Sequence, residues 1–469
     1  MATWTPPFPL CSASQEGSFA HESTVKRWPI LLNDVVNEVE HAVAALFDSS
    51  FSSSDRIKAS EGTEIVRQVK QLAVDILAGA ELSCLEPAGL PDDYTLYNSQ
   101  IETLKNEGQG SWLTAPWLFA ECYLYRRLRL VFSRTTQWTL FDPFQTQKVA
   151  TWRSSATGAA ALARSLQALH ASGPLVDSEK AKVDFLNLAK ACLWGNATDL
   201  SLLTNLSHDE IKQLQSVERG QHFLLKNDFA AVWEHLSSLE AARIDFVLDN
   251  SGFELFTDLV LADWLVSLSS HVSEVVIHPK LIPWFVSDVQ PHDFVSLLAS
   301  LKSPSSFFGA SSGSGLSAED EAALAALGER WQGYVESGKF KLSVPTEYQM
   351  GEQAGETADF WTSPLPFPAL PTAAPSLLTN LKKSSLVLFK GDLNYRKLVG
   401  DALWPTTTSF SDALGPLAGH FPLLSLRTIK ADSVVGLAPG VPEAVEKIDP
   451  RWRYNGKYAV VSFAPKMKL

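Results

Sequence analysis

The chain has 469 residues, of which 45% are hydrophobic and 19% charged, with a formal net charge of −13. That size suits a globular protein with a large core in two structural parts, and the acidic excess argues against general nucleic-acid affinity, which needs a basic footprint. Apolar runs such as 386–389 and 459–463 are too short to span a bilayer, and no basic start followed by an apolar stretch marks a secretory signal.

The first half reads as helical. Val25, Trp28, Leu31, Leu32, Val35, Val36, Val39 and Ala42 recur every three or four residues, as one buried helix face requires. Trp117–Leu128 is a second strong helix and Ala159–His170 a third, and the pattern holds to about Leu225. Cys11, Cys84, Cys122 and Cys192 lie far apart without a CxxC spacing, so reduced, mostly buried thiols are expected rather than zinc ligands or disulfides. From Ile244 onward, strand-like runs at 246–248, 274–277, 386–389, 423–426 and 458–463 alternate with helical segments. Such alternation predicts crossover units and a mainly parallel α/β sheet. The expected division is therefore 1–235 helical and 236–469 α/β. Residues 303–317 are low in complexity and read as a flexible surface loop, 364–368 as a stiff proline-rich connector, and His278 before Pro279 as a loop histidine.

The chemistry concentrates where apolar runs end in polar residues. Phe246–Leu248 stops at Asp249-Asn250, and Gly252 then leads into a helical pattern that begins with Glu254. A polar pair at the carboxyl end of a buried strand sits where open α/β sheets bind ligands. Two hard oxygen donors beside a helix N-terminus can hold a divalent cation and receive a phosphate. Asp288 closes the run Leu281–Val286 and offers a third oxygen. Lys390-Gly391-Asp392, Asn394 and Arg396 follow the third run, while Arg427 and Lys430 follow the fourth. A metal, cations and hydrogen-bonding groups together are the equipment of phosphoryl transfer. Each segment also has a plainer reading: a turn and N-cap at 249–252, first-turn acids at Glu254 and Asp258, a cap at Asp288, and solvated charges at 390–397 and 427–430. Four such clusters after successive strands are harder to dismiss than any one.

Asp249-Asn250-Ser251-Gly252-Phe253-Glu254, Asp288, the stretch Lys390–Leu398 and Arg427-Thr428-Ile429-Lys430 closely resemble the damage-control phosphatase family. The Arg-Thr-x-Lys motif is similar to that of its sugar-phosphate phosphatase branch. The likeness extends to Lys26-Arg27-Trp28-Pro29, Trp117–Leu128 and Cys192–Ser201, so it covers nearly the whole chain. It implies a helical N-terminal domain on a three-layer αβα, Rossmann-like domain, acting on phosphomonoesters such as fructose 1-phosphate and fructose 6-phosphate. It further implies a divalent metal (Mn²⁺, Co²⁺, Ni²⁺ or Mg²⁺) on Asp249, Asn250 and Asp288. Substrate would be held by Glu254, Asp392, Leu393, Asn394, Tyr395, Arg396 and Lys430, with Lys390 and Arg427 beside them. Whether Asp249 attacks phosphorus or only binds metal stays open. The expected location is cytoplasmic, with a nuclear pool allowed, and the expected partners are small sugar phosphates rather than membranes or nucleic acids. Members of this branch have also been described as S-adenosylmethionine-dependent protein carboxyl methyltransferases. That rival ranks lower, because no glycine-rich cofactor loop follows any strand-like run.

Overall fold

A computed structural model of the chain describes residues 4–48, 52–87, 92–173, 178–195, 223–309, 315–352, 354 and 356–467. A π-helical turn, Ser23–Arg27, leads into α1 (Trp28–Ala44), whose second residue, Pro29, has no N–H to give and needs none there. Of its predicted apolar stripe, Trp28, Leu32, Val35, Val36 and Val39 are buried and Leu31 and Ala42 half-buried. Helix α2 (Ser53–Leu77) starts at a reciprocal cap between Ser52 and Asp55 and lies along α1. Helices α3 (Tyr94–Asn106) and α4 (Trp117–Ser133) complete this layer. Helix α4 is buried almost all round, as a helix at the centre of a core must be. The core of these helices also takes in Ile282, Trp284, Leu393 and Ala431 from the second half of the chain.

Next come α5 (Gln145–Ser154), α6 (Ala156–Ala171), α7 (Ser178–Trp194), β1 (Leu224–Asn227), α8 (Phe229–Ser237), β2 (Ala242–Val247), α9 (Phe253–Ser267) and β3 (Val272–His278). After them follow α10 (Pro291–Lys302), α11 (Pro304–Phe308), α12 (Ala318–Glu336), β4 (Phe340–Leu342), α13 (Pro375–Leu381), β5 (Leu386–Lys390), α14 (Gly391–Val399), β6 (Leu423–Thr428), α15 (Val441–Ile448) and β7 (Ala459–Ala464). The seven strands form one sheet in the order β1-β7-β6-β5-β2-β3-β4, parallel throughout except for the antiparallel β6–β7 pair.

The period-two alternation of strand side chains divides the sheet into two apolar faces. Ile244, Phe246, Leu386, Leu388, Leu424, Leu426 and Val461 enter one core, shared with α6, α7, α9, α10 and α12. Val247, Val387, Phe389, Leu423 and Val460 enter the other, shared with α13 and α14. The result is the expected α/β fold with helices on both faces of a mainly parallel sheet, next to a helical N-terminal layer. No helix among the described residues is long and apolar enough to cross a membrane.

Three expectations need correction. The helical and α/β parts do not separate at residue 235: α6, α7 and α8 pack on the sheet, and β1 pairs with β7 before that point. Helical periodicity shows that a face is buried but not against what. Within 303–317, Pro304–Phe308 is a helix whose Phe308 is fully buried, with its ring 5.2 Å from that of Trp152; residues 310–314 lie outside the described set. His278 is the last residue of β3, fully buried, with Nε2 3.1 Å from Asp245 Oδ2.

Candidate active site

Strand β2 delivers Asp249 and Asn250 to the carboxyl edge of the sheet. Gly252, at φ +68°, makes the reversal into α9, so 249–252 does turn as its plainer reading has it, but no side chain caps that helix and the N-cap half of that reading does not hold. The loop after β3 comes back across this turn. Ser251 N–H bonds Ser287 O (2.7 Å), Val289 N–H bonds Asp249 O (2.8 Å), and Asn250 pairs with Asp288 as an isolated antiparallel bridge. Phe285 and Val286 hold positive φ angles of 45° and 70°, which is costly for a β-branched residue. Asp288 is not a helix cap, since Gln290 and Asp293 cap α10. Asp249, Asn250 and Asp288, far apart in sequence, thus meet through backbone bonds.

The pocket is crowded with carboxylates. Asn250 Nδ2 donates to Asp249 Oδ2 (2.9 Å) and Glu254 Oε2 (2.8 Å), while Ser287 Oγ donates to Asn250 Oδ1. Burial, followed by the charges of Asp288 and Glu254, pushes the Asp249 carboxyl well above its usual range, against the pull of Lys280 and Lys430. Burial raises Asp288 to about 6 despite Lys280 beside it. Asp288 Oδ1 is buried with no hydrogen-bond partner. Among the described residues no cluster of three His, Cys, Asp or Glu side chains is arranged for a metal, since this set has two acids and an amide. Its donors nevertheless fit a hard divalent cation: oxygen ligands, mutually repelling carboxylates and an unpartnered carboxylate oxygen.

Strand β5 and α14 form the neighbouring wall. Gly391, at φ +81°, is required, because a Cβ there would lie 1.9 Å from Asp249 Oδ2. Lys390 Nζ bonds Cys192 O (2.8 Å), Glu254 Oε1 (3.1 Å) and Asp258 Oδ1. Asn394 Nδ2 bonds Lys390 O (2.7 Å) and Leu248 O (3.0 Å), and its buried Oδ1 has no partner. Asp392 accepts from Arg427 Nε (2.7 Å) and Lys430 N–H (3.0 Å). Lys430 is half-buried, and its charge reaches Asp249.

Other residues singled out in the sequence are buried in cores or bonded to protein partners. Leu393 enters the helical core and Tyr395 the core behind α14, its hydroxyl on Val435. Every Arg396 nitrogen is committed to Asp401 or Glu121, and its guanidinium lies 3.9 Å from the Trp117 ring centroid. Every Arg427 nitrogen has an acceptor in Asp392, Ser433 O or Ala431 O. Lys390 is buried and fully engaged as well. Leu393 and Tyr395 are thus packed in cores, while Lys390, Arg396 and Arg427 give their donors to protein acceptors around the pocket. Sequence reasoning missed Lys280, which pairs with Asp288, and read Asp258, which is buried and binds Lys390, only as a first-turn acid. The repeat of acids at 254 and 258 was a readable signal for Asp258, whereas a lone Lys280 before an apolar run carries almost none.

A cavity of about 610 Å³, lined in part by Trp4, Leu10, Phe119 and Pro364, shares none of the pocket residues. The acids in its lining are Glu107 and Asp401, the latter bonded to Arg396, so chemistry rather than volume marks the site. A model of the damage-control phosphatase ARMT1-like domain matches residues 23–445. The chain belongs to this family. Damage-control phosphatase ARMT1 of Mus musculus is 35% identical over 470 residues, covering 96% of this chain and 97% of its own. The Homo sapiens protein of that name is 32% identical over 467 residues, at the same coverage of 96% and 97%. A crystal structure of a DUF89 family protein from Pyrococcus horikoshii aligns at 13% identity and a TM-score of 0.41, covering 95% of this chain and 98% of that one. The phosphatase's Cys192-Leu193-Trp194-Gly195 motif lies at the end of α7, with Cys192 Sγ 3.0 Å from Asp258 Oδ1, and residues 196–201 lie outside the described set.

Proposed function

We propose that this phosphatase hydrolyses sugar phosphates, fructose 1-phosphate and fructose 6-phosphate among them, with a divalent cation (Mn²⁺, Co²⁺, Ni²⁺ or Mg²⁺) held by Asp249, Asn250 and Asp288. The observation that carries the reading is the meeting of two buried, charge-crowded carboxylates with an amide at the end of β2, beside Lys430. When bound, such a cation supplies Lewis acidity towards a phosphoryl oxygen and relieves the carboxylate repulsion. Lys430 holds phosphate oxygens by charge. Its place is set by Asp392, which ties its backbone N–H to Arg427. The N-terminal turns of α9 and α14 add backbone N–H groups favourable to an anion. Glu254, fixed from both sides by Asn250 and Lys390, accepts from sugar hydroxyls, and Asp392 helps orient them.

A panel of phosphorylated sugars tested against each of the four metals, with released phosphate as the readout, checks the proposal. Metal-dependent turnover of fructose 1-phosphate that disappears in Asp249→Ala is the expected result. Turnover equal with and without chelator, or full activity in Asp249→Ala, overturns it.

A further inference from the structure

Lys280 takes no part in the chemistry assigned so far, yet it is fully buried beside it. Its Nζ donates to Leu248 O and to Asp288 Oδ2, each at 2.8 Å, and its backbone N–H bonds Val289 O at 2.7 Å. One side chain therefore joins the residue before Asp249 to the loop that carries Asp288. The ammonium occupies one oxygen of the Asp288 carboxylate, and the other is the buried oxygen without a partner. Burying such a pair is a poor route to stability, since a well-packed apolar side chain would serve as well or better. Lys397 cannot substitute, because its Nζ is committed to Ser363 O (2.6 Å) and Trp361 O (3.3 Å).

We infer that Lys280 is the positioning residue of the cation site: it fixes Asp288 by Oδ2 against the end of β2 and leaves Oδ1 as that residue's ligand atom. This rests on the metal-binding reading of Asp249, Asn250 and Asp288. Two accounts of Lys280 then predict opposite signs. A mere counter-charge repels the incoming cation, so its removal should tighten metal binding. A positioning residue orients the ligand, so its removal should weaken binding by about 10–100-fold, as loss of an outer-shell partner does.

Calorimetric titration of the full chain with Mn²⁺ distinguishes them, with far-UV circular dichroism as the folding control. Lys280→Met should stay folded and bind Mn²⁺ at least tenfold more weakly, and Lys280→Gln, which keeps an N–H donor without the charge, should lose less. Affinity in Lys280→Met equal to or tighter than wild type overturns the inference while leaving the metal reading intact. A wild-type chain that binds none of Mn²⁺, Co²⁺, Ni²⁺ or Mg²⁺ overturns both. Should Lys280→Met fail to fold, a Mn²⁺-loaded crystal structure of the wild type decides. Asp288 is expected with Oδ2 on Lys280 and Oδ1 on the ion, and a Lys280 turned away from Asp288 refutes the idea.

Discussion

Gly391→Ala is the sharpest single perturbation of the site. The new Cβ would meet Asp249 Oδ2 at 1.9 Å, Cγ at 2.2 Å and Cβ at 2.8 Å. Ordinary contact begins near 3.4 Å, so the carboxylate must retreat by about 1.5 Å (3.4 − 1.9), or α14 must move instead. A displacement of about 1 Å at a reacting centre costs on the order of 100-fold in rate. Positive φ adds about 1–2 kcal/mol of strain for any residue other than glycine. Gly440→Ala isolates that second effect, because Gly440 has φ +84° and nothing within 4 Å of its would-be Cβ. Both variants should lose similar stability from strain in urea titrations, with an extra loss in Gly391→Ala if the helix yields. Only Gly391→Ala should lose Mn²⁺ affinity and at least about 100-fold in kcat/KM. Wild-type turnover in Gly391→Ala would refute the close packing of α14 on Asp249.

Other outcomes follow from the same contacts. Because burial holds Asp288 near 6, the metal-free protein binds an extra proton there between roughly pH 4 and 6, and Asp249, also raised by burial, acts in the same direction. The stability contributed by Asp288 therefore falls as pH rises through that window, by about 3 kcal/mol. Mn²⁺ should accordingly raise Tm more at pH 7.5 than at pH 5, and calorimetry in two buffers should show proton release near pH 6; equal Tm shifts at both pH values would contradict this. Asp288→Ala leaves the Lys280 ammonium buried without its carboxylate, so it should destabilise by about 3–5 kcal/mol in urea as well as abolish metal binding. Arg427→Lys cannot span Asp392, Ser433 O and Ala431 O at once, so it should cost about 2–4 kcal/mol and raise KM through a misplaced Lys430; unchanged kinetics would separate Arg427 from the site. Calorimetry with S-adenosylmethionine tests the methyl-transfer alternative, and no binding at micromolar concentrations is expected.

The central strands were readable because parallel strands buried on both faces are unbroken apolar runs, as at Leu386–Phe389. Strand β4 (Phe340–Leu342) and strand β1 (Leu224–Asn227) were not, since short, partly exposed edge strands need no such run. The acids of the site stood out as polar residues that end buried runs: Asp249 after Leu248, and Asp288 after the stretch to Val286. What Tyr395, Arg396 and Leu393 touch depends on how α14 is rotated about its axis, and spacing alone leaves that rotation undetermined. Arg427 looked like a ligand for phosphate because a cation after a strand is open to both uses. Only the positions of Ser433 O and Ala431 O show where its donors go. Lys280 gave no sign, because a buried lysine is recognisable only once its carboxylate partner is placed across from it.

Ile282, Trp284, Leu393 and Ala431 are embedded in the core of α1–α4, so the loop after β3, helix α14 and the loop after β6 are all rooted in a layer contributed by the opening third of the chain. Changes in that layer therefore bear directly on the walls of the pocket. For the same reason, a fragment carrying only the strands and their flanking helices would keep its acids but lose the framework that aims them.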